Sequence, residues 1–537
     1  MKRTKKPILS LILLCGLLPL ALHSQVDTAL VRRYDGPSHQ SDCGQGLVVD
    51  RLGNVYVTGS TNCPSPPFWP CLTIKYNSMG DTQWTRTWAP AGDRTQAFAY
   101  RIAVDPRGDI VMAAKCKFWQ GIEYACSPWA IKYSPDGILR WAQAAGWALN
   151  YDQWSISLAV DGPGNVYVAG TGGAQFHAYL TVKYSPQGDT QWTRLFRDND
   201  SYTSSLAVDS LGNVYVTGDN MIYGYLTIKY NSTGDTIWTR RYSGNDRPVL
   251  ALDPVGYIYV TGGSWVGSSY DYLTIKYNSS GDTVWVRRYN GTGNKTDIAT
   301  CIAVDATGNV YVTGTSQDSS SQYDFATIKY SPYGVEQWVK RCPGTYGGPA
   351  DIALDNAANV YITGSISTGS TTDYITIKYD SAGTLQWAVQ HDGPAGGNDN
   401  ARSLAVDNAG NVYVTGESYG IGTYQDYATI KYVQTGGVQE DHSPRPTAHS
   451  ISISPVSNPT RRPVFAYHLP HGNCQATVTI FDCLGNVVNE VQLNNSNLEG
   501  IFIWNKCDRV GKRICPGVYF VQLKSGTSSH TSKVLLL

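Results

Sequence analysis

Four acidic residues on connecting segments, Asp93, Glu123, Asp152 and Asp271, are of a type that supports general acid–base chemistry, as a hydrolase or lyase would need. They come from separate stretches, and two carboxylates act on one bond only at a defined separation that sequence does not supply. Aspartates also head a recurring D-x-x-G-N block, at Asp50, Asp105, Asp161, Asp209, Asp253, Asp305, Asp355 and Asp407. One carboxylate per turn is too few for a calcium shell. Each side chain is expected instead to bond its own turn, with glycine where positive φ is needed.

A lysine recurs in a T-I-K-Y block, at Lys75, Lys132, Lys183, Lys229, Lys276, Lys329, Lys378 and Lys431. A charge returning once per unit reads as a solvated or salt-bridged position, not as a base. Of twelve cysteines, Cys63 with Cys71 and Cys116 with Cys126 bracket corresponding loops and are expected as disulfides. Cys474, Cys483, Cys507 and Cys515 in the last part of the chain allow three connectivities, and Cys43, Cys301 and Cys342 stay unassigned. With no C-x-x-C pair and little histidine nearby, no metal site is expected, and no cofactor.

These residues are carried by repeats. The Asp blocks recur at steps of 55, 56, 48, 44, 52, 50 and 52 residues, and a unit of that size cannot bury its own apolar surface, so units must stack. Each reads as four short strands. In the fourth copy the pattern predicts strands over Ser205–Val208, Asn213–Thr217, Tyr225–Tyr230 and Thr236–Tyr242, divided by turn chemistry. Apolar and β-branched residues run without strict alternation through V-Y-V-T, which suits a strand covered on both faces. The expectation is an all-β chain: an eight-bladed β-propeller of four-stranded blades over 25–432.

The chain start supports a closing strand. Val26–Gly36 matches Gly281–Gly291 position by position, with Leu30 in place of Trp285, while the eighth copy ends after Tyr432 without a tryptophan strand. Thr28–Tyr34 is therefore expected to supply the outer strand of the last blade and cover its edge.

Residues 1–24 combine a basic start with an apolar run from Ile8 to Leu22, a secretory signal with cleavage expected after Ser24, leaving Gln25. No other stretch approaches the ~20 apolar residues of a membrane span. The chain has 42 basic and 42 acidic residues, and four of the basic ones lie in the leader. The mature chain is thus slightly acidic, which argues against a nucleic-acid partner. A monomer is expected.

After a Gly- and Pro-containing linker over 433–450, residues 451–537 lose the repeat and show six or seven short alternating strands, as in a small Ig-like sandwich. The repeat blocks resemble the bacterial β-propeller repeat family SBBP, with Asp105–Ala114 departing most. The tail resembles the C-terminal sorting domain of type IX secretion and the Ig-like domain of flagellar hook-capping proteins, through Asn458-Pro459, Val478–Asp482, Leu484-Gly485, Trp504, Asp508, Gly511, Pro516–Phe520 and Lys533-Val534. That resemblance implies the type IX machinery as a partner and a bacterial location that is secreted or on the outer-membrane surface. The G-D-T-x-W segments resemble the tryptophan docking motif of quinoprotein dehydrogenases and, faintly, the Asp-box of sialidases. The chain lacks the adjacent cysteines of the former, and the spacing of the latter is one residue off. A Trp wedged between neighbouring blades accounts for both.

Connections between first and second and between third and fourth strands are short and repetitive. The others are long, varied and aromatic, and rigid scaffolds carry binding residues on such loops. The candidates are Phe68, Trp69, Phe118, Trp119, Tyr124, Phe176, His177, Tyr179, Trp265 and Tyr270. The expected role is binding of an extracellular protein or glycan; a hydrolase or lyase using acidic groups of that face, or a structural envelope component, are the alternatives.

Overall fold

The computed structural model describes residues 26–536, except 64–68, 92–94, 120–123, 147–155, 173–176, 199–200, 221, 245, 343–347, 435–451, 456–462, 470–475, 483–484, 494–498, 516 and 526–527. All regular structure among them is β, and no helix there is long and apolar enough to cross a membrane. The chain divides into two compact units, Met1–Gly436 and Gly437–Leu537.

Among the described residues the first unit holds eight four-stranded antiparallel sheets, each in simple up-and-down order. Seven are continuous in sequence: sheet 1 (43–88), sheet 2 (96–144), sheet 3 (156–197), sheet 4 (201–242), sheet 5 (249–289), sheet 6 (297–342) and sheet 7 (349–391). Sheet 8 is built from Asn400–Val406, Val412–Tyr419 and Gln425–Gln434, and its fourth strand is Val26–Tyr34 from the chain start, with Val31 opposite Ile430 and Tyr34 opposite Tyr427. Strands reach further at the long-loop end than sequence predicts. In sheet 4 they are Ser201–Val208, Val214–Asn220, Gly224–Tyr230 and Thr236–Tyr242.

The recurring letters have identifiable physical work. At the head of each turn, Asp209 Oδ1 accepts from the Leu211 and Asn213 amides, and Oδ2 accepts from Asn213 Nδ2 and Tyr215 Oη. The same set recurs at Asp50, Asp355 and Asp407. The turn is thereby closed by its own aspartate. The threonine of V-Y-V-T bonds the threonine of T-I-K-Y across the sheet, as in Thr217–Thr227 at 3.1 Å, which satisfies hydroxyls that are fully buried.

Sheets join through their outer strands. Trp192 Nε1 and Lys183 Nζ both donate to the Ser232 carbonyl of the next sheet, each at 3.1 Å, and Arg194 Nε donates to the Gly234 carbonyl two residues on. The Trp192 ring lies against Gly234, whose φ of +85° and lack of Cβ the contact requires. Equivalent clamps join Trp84 and Lys75 to Pro135, Trp141 and Lys132 to Pro186, Trp238 and Lys229 to Ser279, Trp285 and Lys276 to Pro332, and Trp338 and Lys329 to Ser381. Lys132, Lys229 and Lys276 are buried and the other five are partly exposed; among the described residues Lys132, paired with Asp105 at 2.6 Å, has an ion partner as well. Across the two chain ends, Lys431 Nζ donates to the Ser78 carbonyl and Arg32 Nε to the Gly80 carbonyl. Leu47, Leu72 and Ile74 of sheet 1 share a core with Tyr413 and Tyr427 of sheet 8. Trp387 alone among these rings faces a sheet without a third-to-fourth turn, and its Nε1 is buried with no partner.

In the second unit, a three-stranded sheet (Ser452–Pro455, Val464–His468, Glu499–Ile503) and a four-stranded sheet (Ala476–Phe481, Val487–Leu493, Gly517–Ser525, Ser528–Leu536) contribute to one core. Ile453, Phe465 and Phe502 from the first meet Val478, Val521 and Leu523 from the second. Trp504 packs edge-on to Tyr519 at 5.3 Å and donates to the Cys507 carbonyl.

Among the described cysteines no disulfide is formed. Cys116 pairs across strands with Ser127, and Cys126 with Lys117, so the period of two puts the two thiols on opposite faces of the sheet. Cys71 is buried in the core shared by sheets 1 and 2, while Cys63 stands on the side of Asp42 and Tyr34. Cys507 and Cys515 are unbonded, and Cys474 and Cys483 lie outside the described residues.

The clamp predicts that Trp238→Phe lowers stability by about 1–2 kcal/mol more than Trp387→Phe, since the first loses a hydrogen bond that the second never had. Chemical-denaturation midpoints of the two variants measure the difference. Asp209→Ala, which removes four turn hydrogen bonds and leaves a buried tyrosine hydroxyl unpaired, is expected to cost about 2–4 kcal/mol, with Asp209→Asn closer to the parent by the same measurement.

Candidate functional site

The two ends of the sheet stack differ. At the turn end, single apolar residues stand out at a repeated position, Leu52, Leu211 and Val255, each about 80% exposed. They stand singly on short turns, without a ring beside them among the described aromatic pairs. The opposite end carries the second-to-third connections and the crossovers from one sheet to the next.

There the structure separates the predicted residues into groups. Trp265 and Tyr270 face each other across the hairpin of sheet 5, 4.9 Å apart and edge to face, with Trp265 51% exposed. This apolar tip is continued by the exposed Val266. Trp69 is half-buried: its carbonyl accepts from the Ala97 amide, and its ring lies 6.2 Å from that of Phe98. Phe118 packs beside Trp129 at 6.3 Å on the edge of the core between sheets 1 and 2. His177 stacks on Tyr202 at 4.6 Å. Trp119 and Tyr124 pair at the end of the long hairpin of sheet 2, and Phe68 and Phe176 lie outside the described residues.

Tyr179 is a correction. It is fully buried between sheets 3 and 4, where its hydroxyl donates to the Leu226 carbonyl, and Gly218 leaves the room it needs. Tyr272, Tyr374 and Tyr427 make the same reach into the next sheet. This ring is scaffold, not surface.

Sequence reasoning missed four exposed side chains of the same end. Ile222 and Tyr223 occupy the second-to-third connection of sheet 4, and Ile421 and Tyr424 that of sheet 8. Tyr424 is 55% and Ile421 78% exposed; the Arg241 guanidinium lies 5.5 Å over the Tyr223 ring. Their signal was available, since they lie in the same class of connection as Trp265.

Of the acidic candidates, Asp271 is buried beneath the Tyr270 hairpin and its carboxyl is pushed up by burial, whereas Asp93, Glu123 and Asp152 lie outside the described residues. A separate cavity of about 520 Å³ runs along the first strands of sheets 2 to 6, with Arg101, Ser204, Asp246, Arg247 and Thr300 in its wall. Burial raises the Asp246 carboxyl, and burial followed by repulsion from Asp246 raises Asp219. Ser24 and Gln25, the expected cleavage point, are outside the described residues.

No curated protein matches the chain. Among solved structures, PorZ of Porphyromonas gingivalis, an essential bacterial surface component of the type-IX secretion system, is 12% identical, the match covering 91% of this chain and 74% of PorZ with a TM-score of 0.38. The polysaccharide lyase Uly1 is 9% identical over 75% of this chain and 91% of its own, with a TM-score of 0.39. A eukaryotic initiation factor is 9% identical over 86% and 90%, with a TM-score of 0.36. Likeness at this level carries no argument about activity or partner. The family model of the beta-propeller repeat, SBBP, matches residues 36–63, 191–219, 284–319 and 386–422, so these four segments carry β-propeller repeats of that type.

Proposed function

We propose that the chain is an exported eight-bladed β-propeller, closed by its amino-terminal strand, that binds an extracellular protein or glycan at the long-loop end. The observation that carries this reading is the set of exposed rings and aliphatic groups on the second-to-third connections of sheets 4, 5 and 8: Tyr223, Trp265 and Tyr424 with Ile222, Val266 and Ile421. Aromatic side chains on a rigid frame give large contact area at low entropic cost, as recognition surfaces require. Closure is supported by the contacts of Lys431, Arg32 and Tyr427 with sheet 1. The second unit, with its two sheets on one core, serves in this reading as an Ig-like sorting module that hands the chain to the type IX machinery and delivers it to the bacterial surface or medium.

The test is saturable binding of the full chain to a glycan array and to extracellular matrix and cell-surface proteins. Trp265→Ala combined with Tyr424→Ala is expected to weaken binding at least tenfold, while Tyr333→Ala, at an 83% exposed turn-end residue, leaves it intact. Absence of any saturable ligand for the folded chain, or loss of binding through Tyr333 alone, removes the proposal.

A further inference from the structure

Where the chain crosses from sheet 8 to sheet 1, three carboxylates converge. Asp35 follows the strand Val26–Tyr34, Asp42 precedes Cys43 of sheet 1, and Asp426 is the second residue of the third strand of sheet 8. One oxygen from each lies within 4.8 Å of the others. Two oxygens bound to one calcium ion at 2.3–2.6 Å are separated by at most about 5 Å, so the spacing suits that ion, whereas magnesium at about 2.1 Å would need a tighter set.

Three acids together are common on surfaces, but here Asp42 and Asp426 are buried, and one oxygen each of Asp35 and Asp426 finds no hydrogen-bond partner. Asp426 is only 4% exposed, and its Oδ1 is buried with no hydrogen-bond partner; Asp35 Oδ1 is in the same state. Their other oxygens are engaged outside the cluster, Asp426 Oδ2 by Arg33 Nη2 at 3.0 Å and Asp35 Oδ2 by His39 Nδ1 at 2.5 Å. Asp42 accepts the Gly36 amide at 2.5 Å and the Asn62 amide at 3.1 Å, which fixes the crossover and orients its carboxylate. A buried carboxylate oxygen with no donor is costly unless a cation meets it.

The arrangement recurs. At the crossover from sheet 7 to sheet 8, Asp373, Asp392 and Asp399 also bring one oxygen each within 4.8 Å, and Asp399 accepts the Gly393 amide as Asp42 accepts that of Gly36. Gln390 stands there where Arg33 stands at the first cluster, bonding Asp373 Oδ2 at 2.6 Å. From sheet 5 to sheet 6, Asn290 replaces the exposed acid, and the buried Asp271 and Asp297 each keep an Oδ1 without a partner.

We propose that Asp35, Asp42 and Asp426 form a binding site for a hard divalent cation of the calcium type, which ties the amino-terminal strand, sheet 8 and sheet 1 together at the long-loop end. Oxygen-only ligation by three carboxylates selects against softer transition metals. This goes beyond partner recognition and does not depend on it.

The experiment uses the full chain carrying Asp392→Asn, which silences the second cluster by changing an exposed residue. Calcium titration by calorimetry is expected to give one site with a Kd of roughly 0.1–1 mM, the range of extracellular modules, and a melting temperature raised by about 2–5 °C over an EDTA control. Terbium is expected to luminesce on tyrosine excitation, with Tyr34 beside the site. Adding Asp35→Asn, at a half-buried residue with no backbone hydrogen bond to lose, is expected to weaken binding at least tenfold while the melting temperature in EDTA stays unchanged. Absence of heat and of stabilisation up to 10 mM calcium overturns the proposal, as does unchanged binding in the Asp35→Asn chain, or equal stabilisation by magnesium or by sodium chloride at matched ionic strength.

Discussion

A carbonyl oxygen in one sheet, approached by an indole N–H and a lysine ammonium from the sheet before it, is the contact on which the first unit depends. Ser232 receives Trp192 and Lys183 in this way, and the guanidinium of Arg194 closes on Gly234 beside it. The arrangement joins a large apolar ring, which supplies burial, to charged donors, which supply direction. Because the acceptor belongs to a turn that Asn231 also braces through the Thr233 and Asp235 amides, each sheet stiffens the turn that its predecessor grips. Cohesion is therefore nearest-neighbour, as expected of repeats that cannot bury their own faces.

This accounts for what could be read from the chain. The spacing of Asp, Thr, Lys and Trp encodes one job per letter, and the eight sheets follow from it. Tyr179 was misjudged although it stands four residues before Lys183, as Tyr225 does before Lys229; its place in the repeat outweighs its nearness to a loop. The cysteine pairs looked plausible because sequence spacing does not say which face a strand residue takes, and one step of register reverses the answer. The Asp35, Asp42 and Asp426 cluster was beyond reach for another reason: its members meet only once the first strand of the chain lies beside one of the last of its repeats.

Residues that repeat are consumed by turns and clamps, and the side chains left exposed are those the repeat does not specify. The turn end shows the limit of that division, since Leu52, Leu211 and Val255 repeat and are nevertheless exposed. They stand on short turns, whereas Trp265 and Tyr270 pair near the tip of a long hairpin.

The sharing of sheet 8 between the two chain ends has a kinetic meaning. Among the described strands of the first unit, Val26–Tyr34 comes first in the chain and its partner Gln425–Gln434 last, so the pairing between them has the longest sequence separation in the unit. Loop-closure entropy delays such contacts, and the earlier sheets, whose pairings are local, assemble ahead of it. Until then the waiting strand and the three-stranded remainder of sheet 8 both present open edges, the state in which β chains join the wrong neighbour. The pairing that completes sheet 8 is thus the one whose edges stay open longest.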